Sequence, residues 1–184
     1  MYKILLLGAL LPFSLLPTTP ISLITIDNGD VLKNSDIKML KDVFMDAFHS
    51  VYLKDWTLEI EEQTHNVFEN YISQYQTNCT MNLVIVLKDN QIAGWALFKK
   101  ENDADAILEI LCISPHYWRQ GIGKQLAFSI CDLYPTINHI SLMTRKINPI
   151  SPQFYEALGF RKTDFSLPEY ANIENLLGYE WHKK

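Results

Sequence analysis

An almost unbroken apolar run passes into a glycine-containing turn within residues 111–126, which read LCISPHYWRQGIGKQL. Residues 106–113 have the composition of a strand that is buried on both faces of a sheet, and Pro115 ends that strand. Helical periodicity then runs from residue 120 to residue 133. The stretch therefore predicts a buried strand, a tight turn and a helix in direct succession.

The turn at residues 119–124 has the features of an anion-binding cradle. Gly121 and Gly123 remove side chains where a backbone must approach a ligand closely. The free amides of a first helical turn point at one place, and the helix dipole favours a negative charge there. Arg119 and Lys124 add positive charge. Two glycines are also typical of an ordinary strand-to-helix turn, so the motif alone leaves both interpretations open.

Periodicity, cap and turn signals along residues 21–184 predict a mixed α/β domain with the element order β-α-α-β-β-β-α-β-α-β-β. Asn148 is the predicted N-cap of the last helix, with Pro149 at its first position and Gly159 at its end. The predicted strands are residues 21–26, 81–87, 92–98, 106–113, 139–144, 160–165 and 176–181, and the other helices begin at Ser35 or Asp36, at Thr57 and at residue 120.

Residues 111–126 resemble the acyl-CoA-binding motif of the GNAT superfamily of N-acetyltransferases. Asn148, Ser151 and residues 154–160 (FYEALGF) resemble that family's second signature, Asn-x-x-Ala-x-x-Phe-Tyr-x-x-x-Gly-Phe. Trp118 stands where the family usually has Gln or Arg, and Ser151 replaces its common Ala. The resemblance implies an α/β fold with a single mixed, mostly antiparallel central sheet flanked by helices, the acyl-CoA N-acyltransferase fold.

The same resemblance implies an N-acetyltransferase that uses acetyl-CoA as co-substrate and a primary amine as acceptor, without a metal. The amine would attack the thioester directly, and it would belong to a small molecule, a peptide or a protein. The strand backbone at Leu111, Cys112 and Ile113 would pair with the pantetheine arm, and Asn148 would lie beside that arm. The pyrophosphate would be held by Arg119, Gln120, Gly121, Ile122, Gly123 and Lys124.

Two residues are candidates for proton transfer. Tyr155 occupies the position of the family's usual general acid, and its alternative role is aromatic packing against the sheet. Glu109 is the best candidate base, because burial in an apolar strand would raise its pKa; a paired carboxylate is the alternative. His116 and His139 are weaker candidates for the base, and His139 is also the expected first residue of a strand.

Aromatic side chains of the first two helices and the last strands are expected around the acceptor, although such stripes more often form a core. They are Phe44, Phe48, Tyr52, Trp56, Tyr170, Tyr179 and Trp181.

Composition narrows the class of protein. The 184 residues carry a net charge of −5 with scattered Lys and Arg, which argues against nucleic acid as the main partner. The three cysteines, Cys79, Cys112 and Cys131, show neither metal-ligand spacing nor a disulfide framework. Two alternatives to a catalytic enzyme stay open: a non-catalytic acyl-CoA-binding module, and an exported domain that reuses the fold without CoA.

Residues 1–20 form an apolar N-terminal segment in front of the domain. The segment is too short, and Pro12 too central, for a stable membrane span. Lys3 followed by an apolar run suits a secretory signal peptide, whereas acetyl-CoA is a cytosolic metabolite. A cytoplasmic protein with an apolar extension and an exported protein with a signal peptide are therefore both expected alternatives, and the oligomeric state stays open.

Overall fold

A computed structural model of the chain describes residues 3–5, 21–26, 32–53, 55–168 and 175–184. The predicted turn at residues 27–30 and the aromatic Tyr170 lie outside these described residues. Of the N-terminal segment, residues 1–20, the described part is Lys3–Leu5. The interpretation of that segment as extension or signal peptide therefore stays a prediction.

The described residues form eight strands in one sheet, four α-helices and one 3-10 turn at Pro115–Tyr117. The strands are β1 (Lys3–Leu5), β2 (Ser22–Ile26), β3 (Met81–Lys88), β4 (Gln91–Lys100), β5 (Asp105–Ile113), β6 (His139–Arg145), β7 (Arg161–Thr163) and β8 (Leu176–His182). The helices are α1 (Asn34–Val51), α2 (Leu58–Thr77), α3 (Ile122–Leu133) and α4 (Ser151–Ala157). None of the helices in these ranges combines the length and apolar character that crossing a membrane requires.

The sheet has the order β1-β2-β3-β4-β5-β6-β8-β7. Neighbouring strands pair antiparallel except for β5 and β6, which are parallel and joined through α3. A parallel pair needs a crossover, and the α3 connection supplies it. The predicted fold class, a single mixed and mostly antiparallel sheet flanked by helices, is confirmed. The strands predicted at residues 81–87 and 92–98 pair as a hairpin, β3–β4, whose turn residues both have positive φ, Asp89 at 54° and Asn90 at 60°.

Of the predicted helix starts, that of α2 is confirmed and that of α1 is wrong. Thr57 is the N-cap of α2, and its hydroxyl accepts a hydrogen bond from the Ile60 amide (3.2 Å), as its side chain predicts. The prediction for α1 is wrong: the helix begins at Asn34, while the Ser35 hydroxyl donates to the Asp36 carboxylate within the first turn. Ser and Asp residues can thus lie within the first turn of a helix and bond to each other, although their presence in the sequence suggests an N-cap.

Two further boundaries differ from the prediction. The last helix begins at Ser151, so Asn148 is not its N-cap and Pro149 is not its first residue. Residues 160–165 form a strand only at Arg161–Thr163. Gly159 does follow the end of α4 at φ 92°, which confirms its predicted role at the helix end.

Each face of the sheet carries its own core. Helices α1 and α2 cover one face, where the Trp95 indole donates to the Leu40 carbonyl (3.0 Å) and the Tyr75 hydroxyl donates to the Ile26 carbonyl (3.1 Å). Helix α3 covers the other face through Ile122, Leu126 and Ile130. Burial of these side chains holds the amino end of α3 against the sheet.

Strands β5 and β6 are paired over only part of their length. Their parallel register runs from Asp105–His139 to Leu108–Leu142, although both strands continue beyond it. A bulge in the β4–β5 ladder lies at the same level, because Leu97 pairs with Ile110 while Phe98 pairs with Leu108. A bulge bends its strand. The residues of β5 after Leu108 therefore face β6 without ladder bonds to it.

Candidate active site

The turn before α3 presents free amides at the carboxyl end of β5. Gly121 adopts a left-handed conformation (φ 81°) as the N-cap, and the Gln125 amide donates to its carbonyl (3.2 Å) in the first bond of the helix. The amides of Ile122, Gly123 and Lys124 precede that bond and have no acceptor within the helix. A Cβ at Gly121 would meet nothing within 4 Å, so this glycine serves the backbone conformation and leaves the turn open.

Gly123 is a glycine for a different reason from the one that the sequence suggests. A Cβ here would lie 3.0 Å from the Phe154 ring and 3.2 Å from Cδ1 of Ile113. Its missing side chain therefore makes room for Phe154 of α4 rather than for a ligand. The contact joins the two sequence motifs physically, since Gly123 belongs to the first and Phe154 to the second.

Trp118 ties the turn to the open edge of β5. Its indole nitrogen donates a hydrogen bond to the Ile113 carbonyl (2.9 Å), and the side chain is 36% exposed. The Ser114 amide bonds to Ala93 on β4, so by the alternation of strand hydrogen bonds the Ile113 carbonyl points away from β4. Trp118 therefore occupies a backbone acceptor on the side where β5 and β6 separate.

Close packing seats α3 directly on the β4–β5 ladder. A Cβ at Gly94 would lie 2.7 Å from the Cys112 carbonyl oxygen and 3.1 Å from Cδ1 of Leu126. Glycine is therefore required at this position of β4 for the helix to approach.

Lys88 is a cation beside the turn that the sequence did not reveal. Lys88 is the last residue of β3, immediately before the β3–β4 turn, and it lies 32 residues before Gln120 in the sequence. Its ammonium donates a hydrogen bond to the Gln120 side-chain oxygen. The Gln120 amide nitrogen in turn donates to the His116 carbonyl (3.2 Å). Together with the exposed Arg119 and Lys124, Lys88 places a third positive charge next to the free amides. No local signal links residues 88 and 120, since the fold alone brings them together.

Tyr155 is buried (8% exposed) among three aromatic rings. The ring centroids of Phe154, Phe160 and Tyr179 lie 5.1, 5.5 and 6.2 Å from its own. Burial, with a smaller contribution from the Cys112 thiol, raises the pKa of Tyr155 well above its ordinary value. Within the described ranges its hydroxyl forms no hydrogen bond. The group is therefore a protonated acid at neutral pH, held in place by packing.

Glu109 lies at the level where β5 and β6 part. It follows Leu108, the last β5 residue paired with β6, and it falls in the bulge of the β4–β5 ladder, between the pairs Leu97–Ile110 and Phe98–Leu108. Glu109, Leu111 and Ile113 are half-buried, whereas Ile110 and Cys112 are buried, so the side chains alternate between the two faces over this part of β5. The carboxylate is thus half-buried rather than enclosed in the core.

The Asn148 side chain braces the start of α4. Its oxygen accepts from the amides of Ile150 (2.9 Å) and Ser151 (3.1 Å), and its nitrogen donates to the Ser151 hydroxyl (2.6 Å). Asn148 therefore satisfies amides of the first turn from ahead of the N-cap. Ser151, which departs from the family pattern, accepts the bond that completes this arrangement.

The other candidates lie apart from the turn or in the core. His139 is the first residue of β6, as expected, and therefore lies at the far end of the sheet from residues 119–124. His116 is exposed in the 3-10 turn. Phe44 and Tyr179 are fully buried core residues, which corrects their assignment to an acceptor site. Burial raises the pKa of Tyr52, and the positive charge of Arg145 offsets part of that rise.

Comparison with known proteins identifies the family. The model of the Acetyltransferase (GNAT) family matches residues 40–160, more than half of the chain. The chain belongs to the GNAT family. Among solved structures, the PaiA N-acetyltransferase of Thermoplasma acidophilum in complex with coenzyme A aligns over 87% of this GNAT chain and 98% of its own, with a TM-score of 0.69 and 19% identity. No curated protein sequence matches the chain significantly.

Other structural neighbours carry the same fold. The ribosomal-protein-S18-alanine N-acetyltransferase of Escherichia coli aligns over 88% of this chain and 93% of its own, with a TM-score of 0.59 and 16% identity. An acetyltransferase of Thermus thermophilus aligns over 82% and 93%, with a TM-score of 0.62 and 17% identity. At these identities the likeness establishes the acyl-CoA N-acyltransferase fold of this GNAT protein and leaves its acceptor open.

Proposed function

We propose that this GNAT protein is an N-acetyltransferase that moves an acetyl group from acetyl-CoA to a primary amine. The observation that carries the proposal is the separation of β5 from β6 directly beside the free amides of α3. An unpaired strand edge can accept an extended ligand by backbone hydrogen bonds, and a helix amino end accepts phosphate. The pantetheine arm and the pyrophosphate of acetyl-CoA have these two characters.

Backbone groups would supply most of the contacts with acetyl-CoA. The pyrophosphate would accept from the amides at Arg119 to Lys124, with Lys88 as an added cation. Leu111, Cys112 and Ile113 would offer their strand edge to the pantetheine arm. Asn148 is engaged in bracing α4, so we propose that it helps binding by fixing the helix that carries Tyr155.

The transfer requires a neutral amine, a stabilised oxyanion and a protonated leaving thiolate. Tyr155 would donate its proton to the sulfur of CoA as the thioester bond breaks and the new amide bond forms. Its raised pKa keeps the hydroxyl protonated at neutral pH, so the proton is present when the thiolate leaves. Glu109, at the level where the strands part, would accept the proton that the substrate ammonium loses to become the attacking neutral amine. The second proton, which the nitrogen loses as the amide forms, would restore the Tyr155 hydroxyl. The products are the N-acetylated amine and free CoA.

Release of free thiol from acetyl-CoA in the presence of a panel of amines tests the proposal. We expect turnover with at least one amine, and loss of acetyl-CoA binding in Gly121→Asp, which puts a carboxylate and a strained backbone where the pyrophosphate would lie. The matched control Gly159→Asp places the same residue at the second glycine with positive φ among the described residues, outside the turn, and should keep binding. Retained binding in Gly121→Asp would contradict the cradle.

A non-catalytic acyl-CoA-binding module is the alternative function. The bond from Trp118 to the Ile113 carbonyl motivates it, because the indole takes one acceptor on the open edge of β5 and leaves the pantetheine arm with fewer contacts that would hold the thioester in place for reaction. Tight acetyl-CoA binding without thiol release for any amine would support this alternative. No binding at all would contradict both functions.

A further inference from the structure

Two histidines and a glutamate converge on one face of β6 and β8. The antiparallel register pairs His139 with His182 and Ser141 with Glu180. Directly paired residues project to the same face of a sheet, so these side chains are neighbours. The nitrogen and carboxylate ligand atoms of His139, Glu180 and His182 all lie within 4.8 Å of one another.

A second carboxylate orients His139 from the other side. Asp105 is the parallel partner of His139 on β5, and its Oδ1 lies 2.8 Å from Nδ1 of the imidazole. The Asn102 side-chain nitrogen donates to the other oxygen of Asp105, Oδ2 (2.6 Å), so Oδ1 is left to accept the Nδ1 proton of His139. That tautomer leaves the Nε2 lone pair towards Glu180, whose Oε1 lies 3.4 Å away. Histidines that bind metal ions are commonly oriented by such a carboxylate.

We propose that His139, Glu180 and His182 bind a divalent transition metal ion, for which Zn²⁺ is the best fit. Two imidazoles and one carboxylate form a ligand set that zinc uses, with a fourth position left for water. The site is separate from the proposed acetyl transfer, because it lies at the start of β5 and β6. Ile113 lies eight residue positions after Asp105, which is about 26 Å along β5.

One rearrangement is needed for the three ligands to meet an ion. The rings of His139 and His182 are stacked, with centroids 4.3 Å apart and planes 7° apart, so their in-plane lone pairs run parallel. Ligand atoms around one zinc ion lie about 3.3 Å from each other. The ligand atoms of His139, Glu180 and His182 lie up to 4.8 Å apart and must therefore come closer together to bind one ion. His182 is exposed and ends β8, so its ring can turn without disturbing the core. His139 stays fixed by Asp105.

Competition of the full-length protein with a chromophoric chelator for Zn²⁺ tests the site, in a Cys79→Ser background that removes the exposed thiol. We expect uptake of one equivalent. His182→Asn and Glu180→Gln should abolish this uptake, and Asp105→Asn should weaken it by about 10-fold or more through loss of the orienting carboxylate. Zn²⁺ should also raise the melting temperature of the parent protein and leave that of His182→Asn unchanged.

His65→Asn is the matched control, because His65 lies near Glu61 on α2 (4.0 Å) without a third ligand. This variant should bind Zn²⁺ as the parent does. Circular dichroism of each variant confirms that the sheet is intact. The proposal is overturned if the folded parent takes up no Zn²⁺ at sub-millimolar concentrations, or if folded His182→Asn and Glu180→Gln bind it as tightly as the parent. In either case His139 only forms ion pairs with Asp105 and Glu180, and the cluster is not a metal site.

Discussion

Arg119 has a left-handed backbone (φ 64°) in the middle of the turn that precedes α3. For a residue with a Cβ this conformation costs about 1–2 kcal/mol. The protein keeps a long cationic side chain at a position where glycine would be more stable. We infer that Arg119 is retained for its charge beside the free amides.

Substitution at Arg119 should separate backbone strain from charge. Arg119→Gly and Arg119→Ala both remove the cation, while only glycine removes the strain. We expect both variants to bind acetyl-CoA more weakly than the parent protein. The free energy of unfolding of the glycine variant should be about 1 kcal/mol larger than that of the alanine variant. Urea unfolding and calorimetric titration measure the two effects. Equal stabilities of the pair would show that the turn is not strained.

Tyr155 is the residue whose role is most sharply testable. Tyr155→Phe keeps the ring that packs against Phe154, Phe160 and Tyr179, and it removes only the hydroxyl. We expect kcat to fall by about 10²–10⁴-fold, the usual contribution of a general acid, with the acetyl-CoA affinity and the melting temperature unchanged. An equal loss of affinity and turnover would instead show that the hydroxyl supports the structure.

At the level of elements, α3 and α4 act as one support through the contact between Gly123 and Phe154. The sequence revealed both motifs but not their contact, because residues 123 and 154 have no local relation. The bulge at Glu109 could not be predicted from the sequence either. In a nearly continuous run of apolar residues, no change of pattern shows where the side chains switch from one face of the sheet to the other. The hairpin at Asp89-Asn90 was predictable because both residues tolerate positive φ, which that turn requires.

Gly123→Ala should disturb this support. A methyl group 3.0 Å from the Phe154 ring requires the ring to shift by a few tenths of an ångström, and we expect a loss of about 1–3 kcal/mol in the free energy of unfolding together with a fall in kcat. Adding Phe154→Leu should restore part of the stability, because the smaller side chain makes room for the methyl group. Double-mutant analysis by urea unfolding measures the coupling. Simple additivity of the two changes would contradict the contact.

At the scale of the whole molecule, the fold could be predicted almost completely while the site could be predicted only in part. The sequence patterns that mark strands and helices involve residues close together in the chain. The order of the elements in residues 21–184 could therefore be predicted from the sequence. Contacts such as Lys88 with Gln120 and His139 with Glu180 depend on the sheet register and the packing of distant elements. Of the N-terminal segment, the described residues Lys3–Leu5 form β1, which lies four positions from β5 in the sheet.

Removal of residues 1–20 should therefore leave acetyl-CoA binding intact. The elements that would contact acetyl-CoA, from β5 to α4, and the β2–β3 pairing all remain in residues 21–184. Calorimetric titration of the shortened protein against the full-length protein measures the effect. A folded but non-binding shortened protein would show that residues 1–20 support the site. Mass spectrometry of the native protein would separately establish whether residues 1–20 are retained.

The glycine at position 94 has a consequence for how a ligand is received. Because α3 sits against the β4–β5 ladder at van der Waals distance, the sheet fixes the direction of its first-turn amides before any ligand arrives. A preorganised site loses little conformational entropy on binding. Affinity for acetyl-CoA would thus be set largely by a residue that touches no part of it, and any side chain at position 94 would weaken binding by tilting the helix away from the strands.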